Sequence, residues 1–237
     1  MSKGIFITGT DTGVGKTIVS AAIIRALIKK GIKVGAMKPM ETGCAKTEDR
    51  LLPSDGMFLK EMAEMNDSID LITPIRYEHP LAPMVAAELE NRPVNLDSAF
   101  RAYNTLSERY ELMVVEGAGG LLVPITKLKI QSLKLKTYFF SDLIKDLGLP
   151  VIVVVRPTLG TINHTLLTIR EAERCGLEVT GVIINYSCPP ENTAAEKTNP
   201  DVLRELCPVP IIGILPYIKN ITLNNIDDMT NCLNINF

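Results

Sequence analysis

The sequence has little of several things, and each shortage excludes a class of protein. Its formal net charge is only -2 across 237 residues, so there is no electrostatic case for nucleic acid, whose phosphates favour a basic partner. No apolar run approaches bilayer length. The longest, Leu149 to Val155, contains Pro150 and is far too short to cross, so no membrane partner is expected. The five cysteines (Cys44, Cys175, Cys188, Cys207 and Cys232) are odd in number and lack CxxC or metal-finger spacing, which suits free thiols in a reducing compartment. Met1 to Gly4 leads straight into a strand without a signal-peptide pattern, so the expected location is cytoplasmic. The two histidines, His79 and His164, stand alone, and a lone histidine seldom marks catalysis. Repeats and linkers are absent.

What is present is a globular composition, 46% hydrophobic and 22% charged, over a length that suits one domain spanning residues 1–237. Short β-rich apolar runs alternate with longer helical stretches. The runs are Ile5–Thr8, Lys33–Met37, Leu112–Val115, Val151–Val155, Val179–Ile184 and Ile211–Leu215. This pattern predicts an α/β fold with a mostly parallel central β-sheet flanked by helices on both faces. Val19, Ala22, Ile23, Ala26 and Leu27 form the apolar stripe of a first helix that Gly31 can cap. A later helix points Ile162, Leu166 and Ile169 inward and closes at Cys175-Gly176. Residues 54–109 read as helical and irregular, broken by Pro74, Pro80, Pro83 and Pro93. The lysine-rich segment 127–136 reads as a solvated hairpin or edge strand. Residues 220–237 are Asn-rich without a clear period, and no role is assigned to them.

Gly9-Thr10-Asp11-Thr12-Gly13-Val14-Gly15-Lys16-Thr17 follows the first expected strand and opens the first helix, the setting a phosphate-binding loop requires. Glycines let backbone N–H groups turn toward phosphate oxygens, and the helix start adds partial positive charge. Lys16 neutralises the β- and γ-phosphates of a nucleotide, and the Thr17 hydroxyl ligates Mg²⁺. Five residues separate Gly9 from Gly15 where the usual spacing has four, and Thr10 holds the usual glycine place. Glu116 ends a buried strand and is followed by Gly117, Ala118, Gly119 and Gly120, so it can reach a metal on the phosphates or else cap a turn. Lys38 ends the second strand in the same way, and Asp55 starts a helix as either ligand or cap.

Together these stretches resemble the dethiobiotin synthetase family of the P-loop NTPase superfamily. The matching text is GTDTGVGKT (Gly9–Thr17), MKP (Met37–Pro39), TG (Thr42-Gly43), SD (Ser54-Asp55), VEGAGGLLVP (Val115–Pro124), LGTINHTLLT (Leu159–Thr168), GVIIN (Gly181–Asn185) and ILPY (Ile214–Tyr217). The likeness spans nearly the whole chain in the family's order, including the five-residue gap in the loop. It implies a P-loop NTPase fold and the ATP-dependent conversion of 7,8-diaminononanoate and CO₂ to dethiobiotin, ADP and phosphate, in a homodimer. By position, Lys38 and Lys16 are catalytic. Gly13, Val14, Gly15, Lys16, Thr17 and Ile18, with Gly117, Ala118 and Gly119, hold the ATP phosphates. Thr17, Asp55 and Glu116 gather Mg²⁺. Asn185, Tyr186, Leu215, Pro216 and Tyr217 surround the base, and Thr12, Lys38, Thr42 and Gly119 meet the diamine. Gly160, Thr161, Ile162 and Asn163 resemble a helix start that receives the substrate carboxylate from the second subunit, a role that suits such an end.

Two departures stand out. Segment 127–136 is longer and more basic than the short turn most relatives carry, and some relatives have an acidic residue where Gly13 stands. Two other readings share the fold. A partitioning-type ATPase switch would carry a signature lysine where this chain has Asp11, and a cobyrinate-type amidoligase would need a glutamine-handling module that is not evident.

Overall fold

All six apolar runs become strands of one sheet, because Val- and Ile-rich segments without polar alternation are stable only where both faces are covered. The protein is described by a computed structural model covering residues 4–48, 50–131 and 134–235, so Met1 to Lys3, Asp49, Ser132, Leu133, Asn236 and Phe237 lie outside the described residues. In chain order the strands are β1 (Gly4–Gly9), β2 (Val34–Met37), β3 (Met40–Thr42), β4 (Ala45–Lys46), β5 (Leu51–Leu52), β6 (Ile75–Tyr77), β7 (Leu112–Glu116), β8 (Pro124–Gln131), β9 (Lys134–Phe139), β10 (Val151–Val155), β11 (Val179–Asn185) and β12 (Ile211–Leu215). The helices are α1 (Lys16–Lys29), α2 (Ser54–Met62), α3 (Ile69–Ile72), α4 (Pro83–Leu89), α5 (Leu96–Ser107), α6 (Phe140–Leu147), α7 (Thr161–Arg174), α8 (Ala194–Leu206) and α9 (Leu223–Met229).

The main sheet runs β12-β11-β10-β1-β7-β2, and every pairing in it is parallel. Successive side chains alternate between faces, yet every residue of β1, β2 and β10 is buried, so helices cover both sides. The order brings the C-terminal ends of β1, β2, β7, β10 and β11 to one edge, where open α/β sheets bind ligands.

The first helix ends as its sequence suggests. Gly31, at φ +81°, donates its N–H to Ile28 O at 2.8 Å, and Ile32 donates to Leu27 O at 3.2 Å, the two bonds of a Schellman cap. The lysine-rich segment is a hairpin of β8 and β9 that packs on α4, with Lys127 4.0 Å from Glu88. Ser132 and Leu133 of that segment fall outside the described residues. No helix of the described residues is long and apolar enough to cross a membrane.

The described part of the Asn-rich tail, residues 220–235, packs against the rest of the fold. The helix α9 packs on α1, and Leu233 forms an antiparallel bridge to Gly213 on the edge strand β12. The charges come from α1. Arg25, 8% exposed, donates Nε to Asp227 Oδ1 at 2.7 Å and also pairs with Glu64, while Lys29 donates to Asp227 O at 2.7 Å. The hydrogen bond from Arg25 holds the Asp227 carboxyl below its ordinary 3.8. A depressed carboxyl pKa stabilises the fold above its unfolded value and ceases to do so as pH falls through the folded one. Replacing Asp227 by Asn is therefore expected to lower Tm by about 4–8 °C at pH 7, from the loss of about 2 kcal/mol of charged hydrogen bonding. Calorimetric scans should show the gap from wild type closing as pH falls below the ordinary carboxyl value of 3.8.

Candidate active site

The loop between β1 and α1 is shaped by two left-handed glycines, Gly13 at φ +72° and Gly15 at φ +89°. Gly15 is the N-cap of α1, and the first helical bond runs from Val19 N–H to Gly15 O at 3.0 Å. The N–H groups of Lys16, Thr17 and Ile18 precede that bond and remain open for an anion. Gly9 has no room for a side chain, since a Cβ there would stand 2.7 Å from Val14 Cγ2 and 3.3 Å from Lys16 Nζ. Lys16 arches back over the loop, 7% exposed, and donates Nζ to Asp11 O at 3.2 Å. Burial pushes its ammonium down to about 8, partly offset by the Glu116 carboxylate.

Three elements converge on one oxygen. Glu116, at the end of β7, is 0% exposed, and its Oε1 accepts the Thr17 hydroxyl at 2.9 Å and the Lys38 ammonium at 2.7 Å. Lys38, 4% exposed at the end of β2, also pairs with Asp55 at the start of α2. Burial alone would lower the Lys38 pKa, but the Glu116 and Asp55 carboxylates outweigh it and hold the ammonium above the usual lysine range. Glu116 Oε2 is buried without a partner.

These groups form the head of a cavity of about 920 Å³. Its walls bring together Thr12, Gly13, Gly15, Lys16, Thr17, Ile18, Lys38, Thr42, Asp55, Glu116, Ala118 and Gly119 with Asn185, Tyr186, Pro216 and Tyr217. Val14 and Leu215 support the wall from beneath, being 1% and 0% exposed. Gly117 packs on Phe6, where a Cβ would come within 2.8 Å of the ring. Gly160, Thr161, Ile162 and Asn163 stand outside this cavity, at the start of α7.

Asn185 is tied to the loop. Its Nδ2 donates to Val14 O at 2.9 Å, and its buried Oδ1 has no partner. A Cβ on Gly15 would collide with this amide, so the glycine and the asparagine require each other. Gly13 faces Arg156, whose Nη2 donates to Thr12 O at 2.6 Å. Several wall residues have no sequence signal. Glu41 belongs to the short β3, and Pro80, Leu81, Ala82 and Pro83 make an apolar side that reads in sequence only as a break. Val123 is the cavity residue next to the lysine-rich hairpin, which leaves the described part of that hairpin away from the site.

The oxygen donors fit a magnesium ion. Asp55 and Glu116 supply carboxylates, Thr17 a hydroxyl, and the orphaned Glu116 Oε2 an unused buried acceptor. Magnesium favours one or two carboxylates completed by phosphate and water. Among the described residues no group of three or more His, Cys, Asp or Glu forms a metal cage.

A family model described as "AAA domain" matches residues 3–225. The ATP-dependent dethiobiotin synthetase of Thermodesulfovibrio yellowstonii is 57% identical over 228 residues, covering 96% of this chain and 94% of that protein. The Bacillus subtilis (strain 168) protein of the same name is 41% identical over 221 residues, covering 93% and 90%. Among solved structures, a ParA family ATPase from Chlorobium tepidum TLS aligns with a TM-score of 0.54 at 13% identity, covering 99% of this chain and 91% of that one, a likeness of fold alone. Identity at this level along nearly the entire length places the chain in the dethiobiotin synthetase family.

Proposed function

We propose that this protein is an ATP-dependent dethiobiotin synthetase that carboxylates 7,8-diaminononanoate with CO₂ and closes the ureido ring. The observation that carries the reading is the meeting of Thr17 and Lys38 at the Glu116 carboxylate, with Asp55 paired to the same Lys38, at the head of a cavity large enough for a nucleotide and a second substrate. One amine of the substrate adds to CO₂ and forms a carbamate. The carbamate oxygen attacks the γ-phosphorus as ADP leaves. The second amine then attacks the carbamoyl carbon, phosphate departs, and the cyclic urea forms. Every step builds or moves negative charge, so the protein's task is positioning and neutralisation.

In this scheme Lys16 and the α1 amides hold the triphosphate, and Lys38 faces the carbamate and the moving phosphoryl group. Thr17, Asp55 and Glu116 hold Mg²⁺, which supplies charge neutralisation on the phosphates when bound. Thr42 and Thr12 meet the diamine end, and the Pro80–Pro83 wall suits an aliphatic chain. Asn185, tied to the loop through Nδ2, keeps its buried Oδ1 as an unused acceptor that can take the amino group of adenine. The test is direct: incubation with 7,8-diaminononanoate, bicarbonate, ATP and Mg²⁺ should yield the cyclic urea by mass, and ATP turnover indifferent to the diamine would refute the assignment.

Two further expectations belong to this reading. Glu116→Gln should raise the Mg²⁺ concentration needed for half-maximal rate by about tenfold or more, and an unchanged magnesium titration would remove the ligand role. The chain acts as a homodimer, in which Gly160, Thr161, Ile162 and Asn163 of each subunit receive the substrate carboxylate of the other. Support comes from their position outside this chain's own cavity and from exposed apolar side chains nearby, Leu159 at 89% and Leu122 and Leu167 along one cleft. Sedimentation should find a dimer, and a fully active monomer would end the shared-site proposal. The proposed setting is the cytoplasm, and the proposed organisation is a single domain.

A further inference from the structure

Between Lys38 and Thr42 lies a carboxylate with no role in the scheme above. Glu41, at the centre of β3, is 3% exposed, and a buried carboxylate requires donors. It finds them on another element. Oε1 accepts the Asp55 N–H at 3.0 Å and the Ser54 hydroxyl at 3.3 Å, while Oε2 accepts the Gly56 N–H at 2.9 Å.

Those donors are the first residues of α2. The helix's own N-cap, Pro53, makes no side-chain capping bond, so its open amides would otherwise need water. Glu41 satisfies them from outside, and a carboxylate is favoured at that end by the helix dipole. The joint is tight as well: a Cβ on Gly56 would collide with the Thr73 side chain and lie 3.6 Å from Glu41 Oε2. Asp55 is thus held by its backbone N–H on one side while its carboxylate reaches Lys38 on the other.

We propose that Glu41 is a positioning residue for the divalent-cation site, capping α2 in trans so that Asp55 presents its carboxylate to the cation beside Lys38 and Glu116. The inference rests on Asp55 being a magnesium ligand. An ordinary cap within α2 would satisfy the same amides without tying them to the strand that carries Thr42. Because Glu41 makes the tie, the helix start and the substrate end of the cavity are fixed to each other.

The test uses Mn²⁺ as the probe, titrated by electron paramagnetic resonance in the presence of a non-hydrolysable ATP analogue. Wild type, Glu41→Gln, Asp55→Asn and the double variant are compared. Glutamine keeps the shape but sets an NH₂ against a backbone N–H. Its Mn²⁺ Kd is expected to rise about tenfold, with metal-free analogue binding changed by less than about twofold. The double variant should be no weaker than Asp55→Asn within about twofold, because one effect acts through the other. Amide exchange at Asp55 and Gly56 should quicken in Glu41→Gln. Unchanged Mn²⁺ affinity in Glu41→Gln, or effects that add in the double variant, would overturn the proposal. If Asp55→Asn itself binds Mn²⁺ like wild type, the magnesium assignment fails first and this inference falls with it. Should Glu41→Gln not fold, Glu41→Asp, which keeps the charge but shortens the reach, is read by the same measurements.

Discussion

Lys38→Met is expected to lower dethiobiotin formation by about 10³-fold or more at saturating ATP, with nucleotide affinity changed only a few-fold. Methionine keeps much of the buried stem and removes only the ammonium. That charge is preorganised: it is 4% exposed, 2.7 Å from Glu116 Oε1, and held protonated by two carboxylates. A group fixed in this way spends no energy reorienting when charge develops on the transferring phosphoryl group. The variant also leaves Glu116 buried beside Asp55 without its cation, an arrangement that costs about 3 kcal/mol of stability. Thermal melts should show that loss and its partial recovery on adding Mg²⁺ with ATP, since the metal restores positive charge at the same carboxylates. Near-normal turnover in folded Lys38→Met would remove the lysine from the mechanism.

Lys16→Ala is expected to weaken ATP binding by about 100-fold or more in calorimetry. The lysine arches over the loop at the head of α1, and no other residue from Gly9 to Thr17 carries a positive charge. Its depressed pKa, about 8, adds a second signature. Phosphate favours the ammonium form, so above that pH binding must take up a proton. Wild-type affinity should then fall about tenfold per unit as pH rises beyond about 8 and vary little below 7. Titrations in buffers of different ionisation heat reveal the proton. Lys16→Ala should lack this limb altogether, and unchanged ATP affinity in the variant would refute the phosphate-loop assignment.

Local features carried most of what was readable. The six apolar runs are the six strands of the main sheet, within a residue or so at each end, because fully buried strands write themselves as unbroken Val and Ile. The GTDTGVGKT loop was legible for the same reason, since its conformation is set by its own glycines. Glu41 was not. Its partners lie on a helix beyond two short strands, and an acidic residue between Met40 and Thr42 looks the same whether it caps a helix or faces water. The Pro80–Pro83 wall is not legible in the sequence, because prolines announce where a helix stops and not what they face. The tail, residues 220–235, is equally illegible in its docking. Its anchors, Arg25 and Gly213, lie elsewhere in the chain, and its own seven-residue helix is too short to show a period.

The place of β1 in the sheet has a consequence for how the molecule assembles. It precedes both of its partners in the chain, yet it lies mid-sheet between β7 and β10, with Gly4 opposite Met113 and Phe6 opposite Val151. Until both neighbours exist, the six residues of β1, with apolar Ile5, Phe6 and Ile7 among them, have exposed amides on two edges and nothing to pair with. Contacts of such long range slow folding and leave the chain adhesive while it waits. The nascent polypeptide should therefore depend on a holding chaperone until β10 has emerged, and the ATP pocket, whose floor is the end of β1, should be among the last features to acquire its working form.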